Sequence, residues 1–204
     1  ALGGSSPWGY HVLNLLIHAL AAMALWALLR RGMARWAPSE GPAGAEGLAW
    51  TAALLWAVHP LQTQSVTYVI QRGESLAGLW MLLSLYAATR SLDDARARWR
   101  MLAVAGSAAA MATKPIAVVL PALAVFWDGM LAREPWPALG QRRRGLYLAL
   151  AATWIVLAAC LWAGRDDYLG TAGPGTWTAP GWRYLLTQPA VIAHYLRLAV
   201  WPAP

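Results

Sequence analysis

Arg72 and Lys114 are the cations best placed for chemistry, because each stands at the junction of two apolar runs. A cation so placed can hold an anionic group, and arginine's planar fork does this through charge-assisted, often bidentate contacts. It can equally snorkel as an interfacial anchor. Arg165 and Arg183 offer the same chemistry from more open loop sequence. Two residues past Arg72, Glu74 opens a helix, where a carboxylate either orients a hydroxyl-bearing ligand or sits favourably at the positive helix end. His59 precedes Pro60 where an apolar run gives way to the polar stretch HPLQTQSVTYVIQRG. The pair makes a turn, and the imidazole can donate to an anion or a hydroxyl. His11, Asn14 and His18 recur at i, i+3 and i+7, close to one helical face, either as hydrogen-bonding glue between helices or as the lining of a polar cavity. Asp166 and Asp167 invite a general-base or metal reading but have no third ligand at fixed spacing, and they read first as ordinary solvated loop carboxylates. The four histidines, including His194, lack metal-ligand spacing. There is no Gly-rich phosphate loop, no GxSxG, no HExxH and no basic run interleaved with aromatics. No metal site, cofactor or nucleic-acid partner is therefore identified, and a divalent-metal requirement stays open.

The elements that position these residues are apolar helices. The chain is 59% hydrophobic and 12% charged, with a mean hydropathy of +0.42, far from the roughly 25% charged residues of soluble domains. Its single cysteine, Cys160, lies in an apolar run, is read as a small buried residue, and excludes an internal disulfide. Spans of about 20 apolar residues fall at 10–29, 48 to about 70, 74–89, 99–113, 116–131 and 146–163. A seventh segment, 182–201, carries Thr187, His194 and Arg197 close to one face and is either a true span or an interfacial helix. The expectation is an all-α polytopic transmembrane bundle of about six or seven helices, a single domain over 1–204, with interfacial extracytoplasmic segments. Arg30, Arg31, Arg35, Arg90, Arg96, Arg98, Arg100, Arg133, Arg142, Arg143 and Arg144 follow spans one, three and five, whereas the opposite loops carry Arg72, Lys114, Arg165 and Arg183. The positive-inside rule makes the first set cytoplasmic and puts His59–Gly73 and Lys114–Pro115 outside. In that outer stretch Val66, Val69 and Ile70 recur at helical spacing opposite Gln64, Thr67, Tyr68 and Gln71, as in a helix lying in the interface. Trp8, Trp36, Trp136, Trp177, Trp182 and Trp201 cluster toward span ends as an aromatic belt.

Four blocks in order, GYHVLNLLIHAL, HPLQTQSVTYVIQRGESLAGL, TKPIAVVLP and YLLTQPAVIAHYLRLAVWP, resemble the membrane part of the transmembrane and tetratricopeptide repeat O-mannosyltransferase family and its bacterial relatives. The resemblance covers nearly the whole chain. It implies a GT-C-like fold and transfer of a sugar from a polyprenyl-phosphate carrier to an extracytoplasmic acceptor, commonly a protein Ser/Thr hydroxyl. It implies membrane lipid, the polyprenyl-phosphate-linked sugar and a protein acceptor as partners, and a bacterial inner membrane with the active face periplasmic. Under it Arg72 and Lys114 hold the donor phosphate, while His59, Gln62, Gln64, Tyr68 and Glu74, with His11, Asn14 and His18, form the cavity or acceptor side. The family's catalytic acidic residue is expected upstream of residue 1 and its repeats downstream, since no 34-residue period is present. Gln64 departs from the pattern, standing where the family often carries an acidic residue. Transport or flipping of lipid-linked sugars is the alternative reading, since it too needs a basic outer cavity and broken helices, and a structural scaffold is a third.

Overall fold

The computed structural model describes residues 8–68, 71–94, 96–132, 134–165 and 181–201, and among these the chain is all-α, with no strand. It divides into two compact units, Ala1–Ala158 and Ala159–Pro204. In the first, helix α1 (Trp8–Trp36) ends two residues ahead of Pro38, which cannot continue a helix. A 3-10 turn over Pro38–Glu40 leads to Gly41, whose φ of 69° and ψ of 178° lie in a region essentially reserved for glycine. Helix α2 (Gly41–Val58) follows. His59 takes the extended backbone that a following proline imposes, with φ −63° and ψ 135°, so the helix stops there instead of running on toward residue 70 as its apolar pattern suggested. The turn Pro60–Gln62 and the short helix α3 (Thr63–Thr67) carry the polar stretch. Val69 and Ile70 lie outside the described residues.

Helices α4 (Arg72–Asp93) and α5 (Ala97–Thr113) form the centre of this unit. At Gly106 an added Cβ would stand 3.2 Å from the Ser84 Cβ and 3.3 Å from its Cα, tighter than ordinary contact, so glycine allows this approach without Ser84 having to give by a few tenths of an ångström. Ser84 Oγ also donates to the Ala103 carbonyl at 2.7 Å. Small residues with a hydroxyl bridge are how apolar helices pack where hydrocarbon gives no preference for protein over lipid. Lys114 is again extended before a proline, and the turn Pro115–Val119 precedes α6 (Leu120–Leu131). Helix α7 (Trp136–Ala152) is separated from α8 (Trp154–Ala163) only by Thr153, whose Oγ lies 2.9 Å from Ser107 Oγ and donates to the Leu150 carbonyl. The core gathers Leu28, Leu85, Ala88, Ala103, Met111, Leu120, Leu146 and Leu150. The second unit contributes α9 (Gly181–Val200), with Pro189 inside it and Thr187, His194 and Arg197 along its length.

Among the described residues two helical stretches are long and apolar enough to cross a membrane, Trp8–Trp36 and Trp136–Ala163, and Pro115–Leu131 is a shorter apolar one. This is fewer than the six or seven expected. Helix α2 dilutes its run with Gly, Pro and Glu46 because it starts at Gly41, and α4 and α5 carry charges in their terminal turns. Arg142, Arg143 and Arg144 are a correction of another kind: they sit within α7, which starts ten residues before the expected span at 146. Met101, Leu148, Ile155 and Trp162 are all more than two-thirds exposed, an outward-facing apolar surface of the sort a membrane protein presents to lipid. Cys160, expected to be buried, is exposed as well. Trp8, Trp36, Trp136 and Trp201 stand exposed at or beside helix ends. Trp177 lies outside the described residues.

Candidate functional site

Within the first unit the charges separate to two ends. At one, Arg31 and Arg35 of α1 pair with Asp93 of α4, Arg98 with Asp94, and Arg142 with Glu134, while Trp36 Nε1 donates to the Met130 carbonyl. At the other lie Arg72, Lys114 and the polar stretch from His59.

Arg72, the first residue of α4, is held from two sides. Its Nε donates to Asn14 Oδ1 at 3.0 Å, and its guanidinium lies over the Tyr10 ring at 5.1 Å. Asn14 is fully buried, and its Nδ2 donates to the Tyr68 carbonyl at 3.2 Å and to that of Val66 at 3.4 Å. One side chain on α1 therefore fixes both the backbone of the polar stretch and the arginine that follows it. Arg72 Nη2 is buried without a hydrogen-bond partner. A buried donor on a charged group costs free energy unless something accepts from it.

Lys114 and Glu74, read separately from sequence, form one ion pair across 40 residues of chain, with side chains 38% and 42% exposed. Each offsets the other, so an anion at Lys114 must compete with Glu74 or share the lysine with it. His59 is a capping residue: its Nδ1 accepts from Leu61 N at 3.2 Å, closing the turn after Pro60. Gln62, Glu74 and His18 converge with Ser65, Ser75 and Trp56 around a cavity of about 120 Å³ with mixed polar and apolar walls. Ser65 Oγ donates to Gln62 Oε1, Ser75 Oγ donates to the Ser65 carbonyl, and His18 Nε2 donates to the Ala57 carbonyl at 2.9 Å while its ring stacks on Trp56. A space below the usual 300–1,000 Å³ of small-molecule pockets takes one end of a ligand.

Asn14 and His18 are buried, Asn14 bonded to the polar stretch and Arg72, and His18 bonded to the Ala57 carbonyl while lining the cavity. His11 is not: it is exposed, whereas Tyr10, one turn before Asn14, is half-buried, so the face turned to protein runs through position 10 rather than 11. Gln64 and Tyr68 are exposed, outside the cavity lining. Arg165 lies over the Trp162 ring at 4.4 Å. The Arg183 side chain, Asp166 and Asp167 lie outside what is described, and among the described residues no three His, Cys, Asp or Glu side chains are grouped to hold a metal.

Sequence reasoning missed Ser65, Ser75 and Trp56, which carry no motif. It also missed a buried cluster at the arginine-rich end, where Arg143 Nε lies 2.8 Å from Asp128 Oδ2, Tyr147 donates to the same oxygen, and Arg143 donates to Ser91 Oγ and the Ala88 carbonyl. The available signal was Asp128 itself, an acid inside an apolar helix that must find a partner.

No protein-family profile matches the chain, and no solved structure matches it. Curated proteins do. The chain is 33% identical over 93 residues to the human protein O-mannosyl-transferase TMTC1, covering 46% of this chain and 10% of that protein. It is 32% identical over 111 residues to the Drosophila melanogaster protein O-mannosyl-transferase Tmtc3, covering 47% and 12%. It is 26% identical over 185 residues to the Mus musculus protein O-mannosyl-transferase TMTC2, covering 85% and 21%. The chain therefore spans between 10% and 21% of the length of these relatives. The resemblance carried by the four blocks holds as a partial match to this family.

Proposed function

We propose that this chain is the membrane part of a glycosyltransferase that, like the protein O-mannosyl-transferases it partly matches, glycosylates protein, and that its donor is a polyprenyl-phosphate sugar and its acceptor a Ser or Thr hydroxyl. The remaining apolar helices complete a six- or seven-span bundle of GT-C type, the arginine-poor end is the extracytoplasmic, active face, and in a bacterial inner membrane that face is periplasmic. The observation that carries the reading is Arg72: oriented by Asn14 and Tyr10, it keeps a buried Nη2 donor with no partner. A phosphate diester supplies the missing acceptor.

In the reaction the acceptor oxygen attacks the anomeric carbon as the bond from that carbon to the phosphate oxygen breaks. The electron pair leaves with the phosphate, and the hydroxyl proton passes to a carboxylate base. Arg72 offsets the charge that grows on the leaving phosphate, where preorganised donors act most strongly. Lys114 assists once Glu74 turns to the sugar or the acceptor. The cavity of His18, Gln62, Ser65 and Ser75 receives one polar end of the substrates.

The test is sugar transfer from a radiolabelled polyprenyl-phosphate sugar to membrane protein by the full-length parent in vesicles, at matched expression. Arg72→Ala is expected to lose transfer about 100-fold, in the range of removing one transition-state donor, and Arg72→Lys to recover only part of it, since a lysine lacks the fork. Transfer untouched by Arg72→Ala removes the proposed donor site. Absence of transfer by the wild type across a panel of donors, with movement of the lipid-linked sugar across the bilayer, replaces the enzyme with a transporter.

A further inference from the structure

At the arginine-rich end two cavities share a wall. One, of about 310 Å³, is lined by Ser91, Arg100, Arg142, Arg143, Gly145 and Leu146. The other, of about 510 Å³, runs between α5 and α7 along Met101, Val104, Ala105 and Ala108, and shares Arg100, Gly145 and Leu146 with the first. The first cavity is lined by three arginines, of which Arg142 also pairs with Glu134 and Arg143 with Asp128 and Ser91, so a bound anion shares them with those partners; beyond Arg100, the second is walled by apolar side chains and glycine.

We propose that these two cavities form one binding site for an anionic phospholipid, with its headgroup phosphate at Arg100, Arg142 and Arg143 and one acyl chain laid in the groove between α5 and α7. Neither half explains the other's chemistry with a simpler occupant. A soluble anion leaves the apolar groove open, and a neutral lipid leaves the arginines facing an uncharged headgroup. Charge complementarity favours the lipid further. At this end ten described arginines (Arg30, Arg31, Arg35, Arg90, Arg96, Arg98, Arg100, Arg142, Arg143, Arg144) face six carboxylates (Glu40, Glu46, Asp93, Asp94, Asp128, Glu134), and such a surplus draws anionic headgroups to basic pockets between helices. Arg143 is held rigid by Asp128, Ser91 and the Ala88 carbonyl, so the site is built before the lipid arrives. The site is separate from the arginine-poor end and does not rest on the transferase reading.

Gly145 provides the decisive variant. It lines both cavities, and a Cβ added there meets nothing within 4 Å. Gly145→Leu therefore has open space for its Cβ and places the rest of its side chain at the junction, and leucine is the better helix former. The experiment is native mass spectrometry of the full-length parent, purified in detergent and offered equimolar phosphatidylglycerol and phosphatidylcholine. Wild type is expected to retain phosphatidylglycerol in preference. Arg100→Gln and Arg142→Gln should each lower that preference about five-fold, and Gly145→Leu should abolish retention while thermal unfolding stays at or above the wild-type temperature. Equal retention of the two lipids, or phosphatidylglycerol retention unchanged by Gly145→Leu, overturns the proposal. So does stabilisation by glycerol 3-phosphate equal to that by the lipid, which makes this a soluble-anion site.

Discussion

Asn14 is the side chain on which the arginine-poor end depends, and a double-mutant cycle with Arg72 measures how far. Asn14→Ala removes the acceptor of Arg72 Nε at 3.0 Å and the donor to the Tyr68 carbonyl at 3.2 Å, together with the weaker contact to Val66 at 3.4 Å. A hydrogen bond to a charged group contributes about 1.5–3 kcal/mol and a neutral one about 1 kcal/mol. Side-chain bonds within membrane proteins average nearer 0.6 kcal/mol, because the unfolded chain also finds partners. The single substitution is thus expected to cost about 2–4 kcal/mol. The coupling between Asn14→Ala and Arg72→Ala should be about 1–2 kcal/mol, since only the Nε–Oδ1 bond is shared. Unfolding in mixed micelles by titration with sodium dodecyl sulfate gives all four corners of the cycle. A coupling under about 0.5 kcal/mol, the scatter expected of independent sites, would refute the claim that Asn14 orients the arginine.

Three further outcomes follow from other parts of the first unit. Gly41→Ala should destabilise by about 1–3 kcal/mol from backbone strain alone, because an added Cβ meets nothing within 4 Å; Gly47→Ala, equally open but inside α2, should stabilise by up to about 1 kcal/mol, and equal effects in unfolding would contradict the assigned backbone of Gly41. Asp94 is held below its ordinary value of 3.8, first by the Arg96 backbone N–H and then by Trp99 Nε1 and the charges of Arg96 and Arg98, against an opposing desolvation. A lowered folded value contributes stability that is present above 3.8 and lost as pH falls below it, so unfolding midpoints measured from pH 6 downward should fall more steeply in wild type than in Asp94→Asn. Arg143→Ala or Asp128→Ala alone should cost about 3–5 kcal/mol by leaving an uncompensated buried charge, while the joint change to Met and Leu should cost less; a double variant no more stable than either single one would count against the pair as described.

The sequence announced most of what proline dictates. Both breaks, at His59–Pro60 and Lys114–Pro115, lie where the residue before proline is driven out of the helical region, and the gathering of arginines at one end was visible in their order. Polar residues deep in an apolar helix need protein or a cavity around them, and Asn14 and His18 are both buried. What pattern could not reveal were pairings set by tertiary contact. Lys114 and Glu74 were read as two separate candidates, although they neutralise each other across the ends of α4 and α5. Arg142–Arg144 looked like loop charges because a run of arginines usually ends an apolar segment; here Asp128 gives Arg143 a buried partner, and the helix continues through them. His11 was misplaced by a fraction of a turn, since three polar residues define a face less sharply than the buried stripe that runs on from Asn14, with Tyr10 half-buried one turn before it.

The close crossing at Gly106 and Ser84 has a mechanical consequence. Ser84 lies ten residues from Glu74 along α4, about 15 Å at the rise of an α-helix, and Gly106 lies eight from Lys114 along α5. The Ser84 hydroxyl ties to the Ala103 carbonyl at this crossing. The Glu74–Lys114 ion pair at one pair of helix ends and the Trp99–Asp94 hydrogen bond at the other bracket it, so α4 and α5 are fastened to each other at three levels along their length.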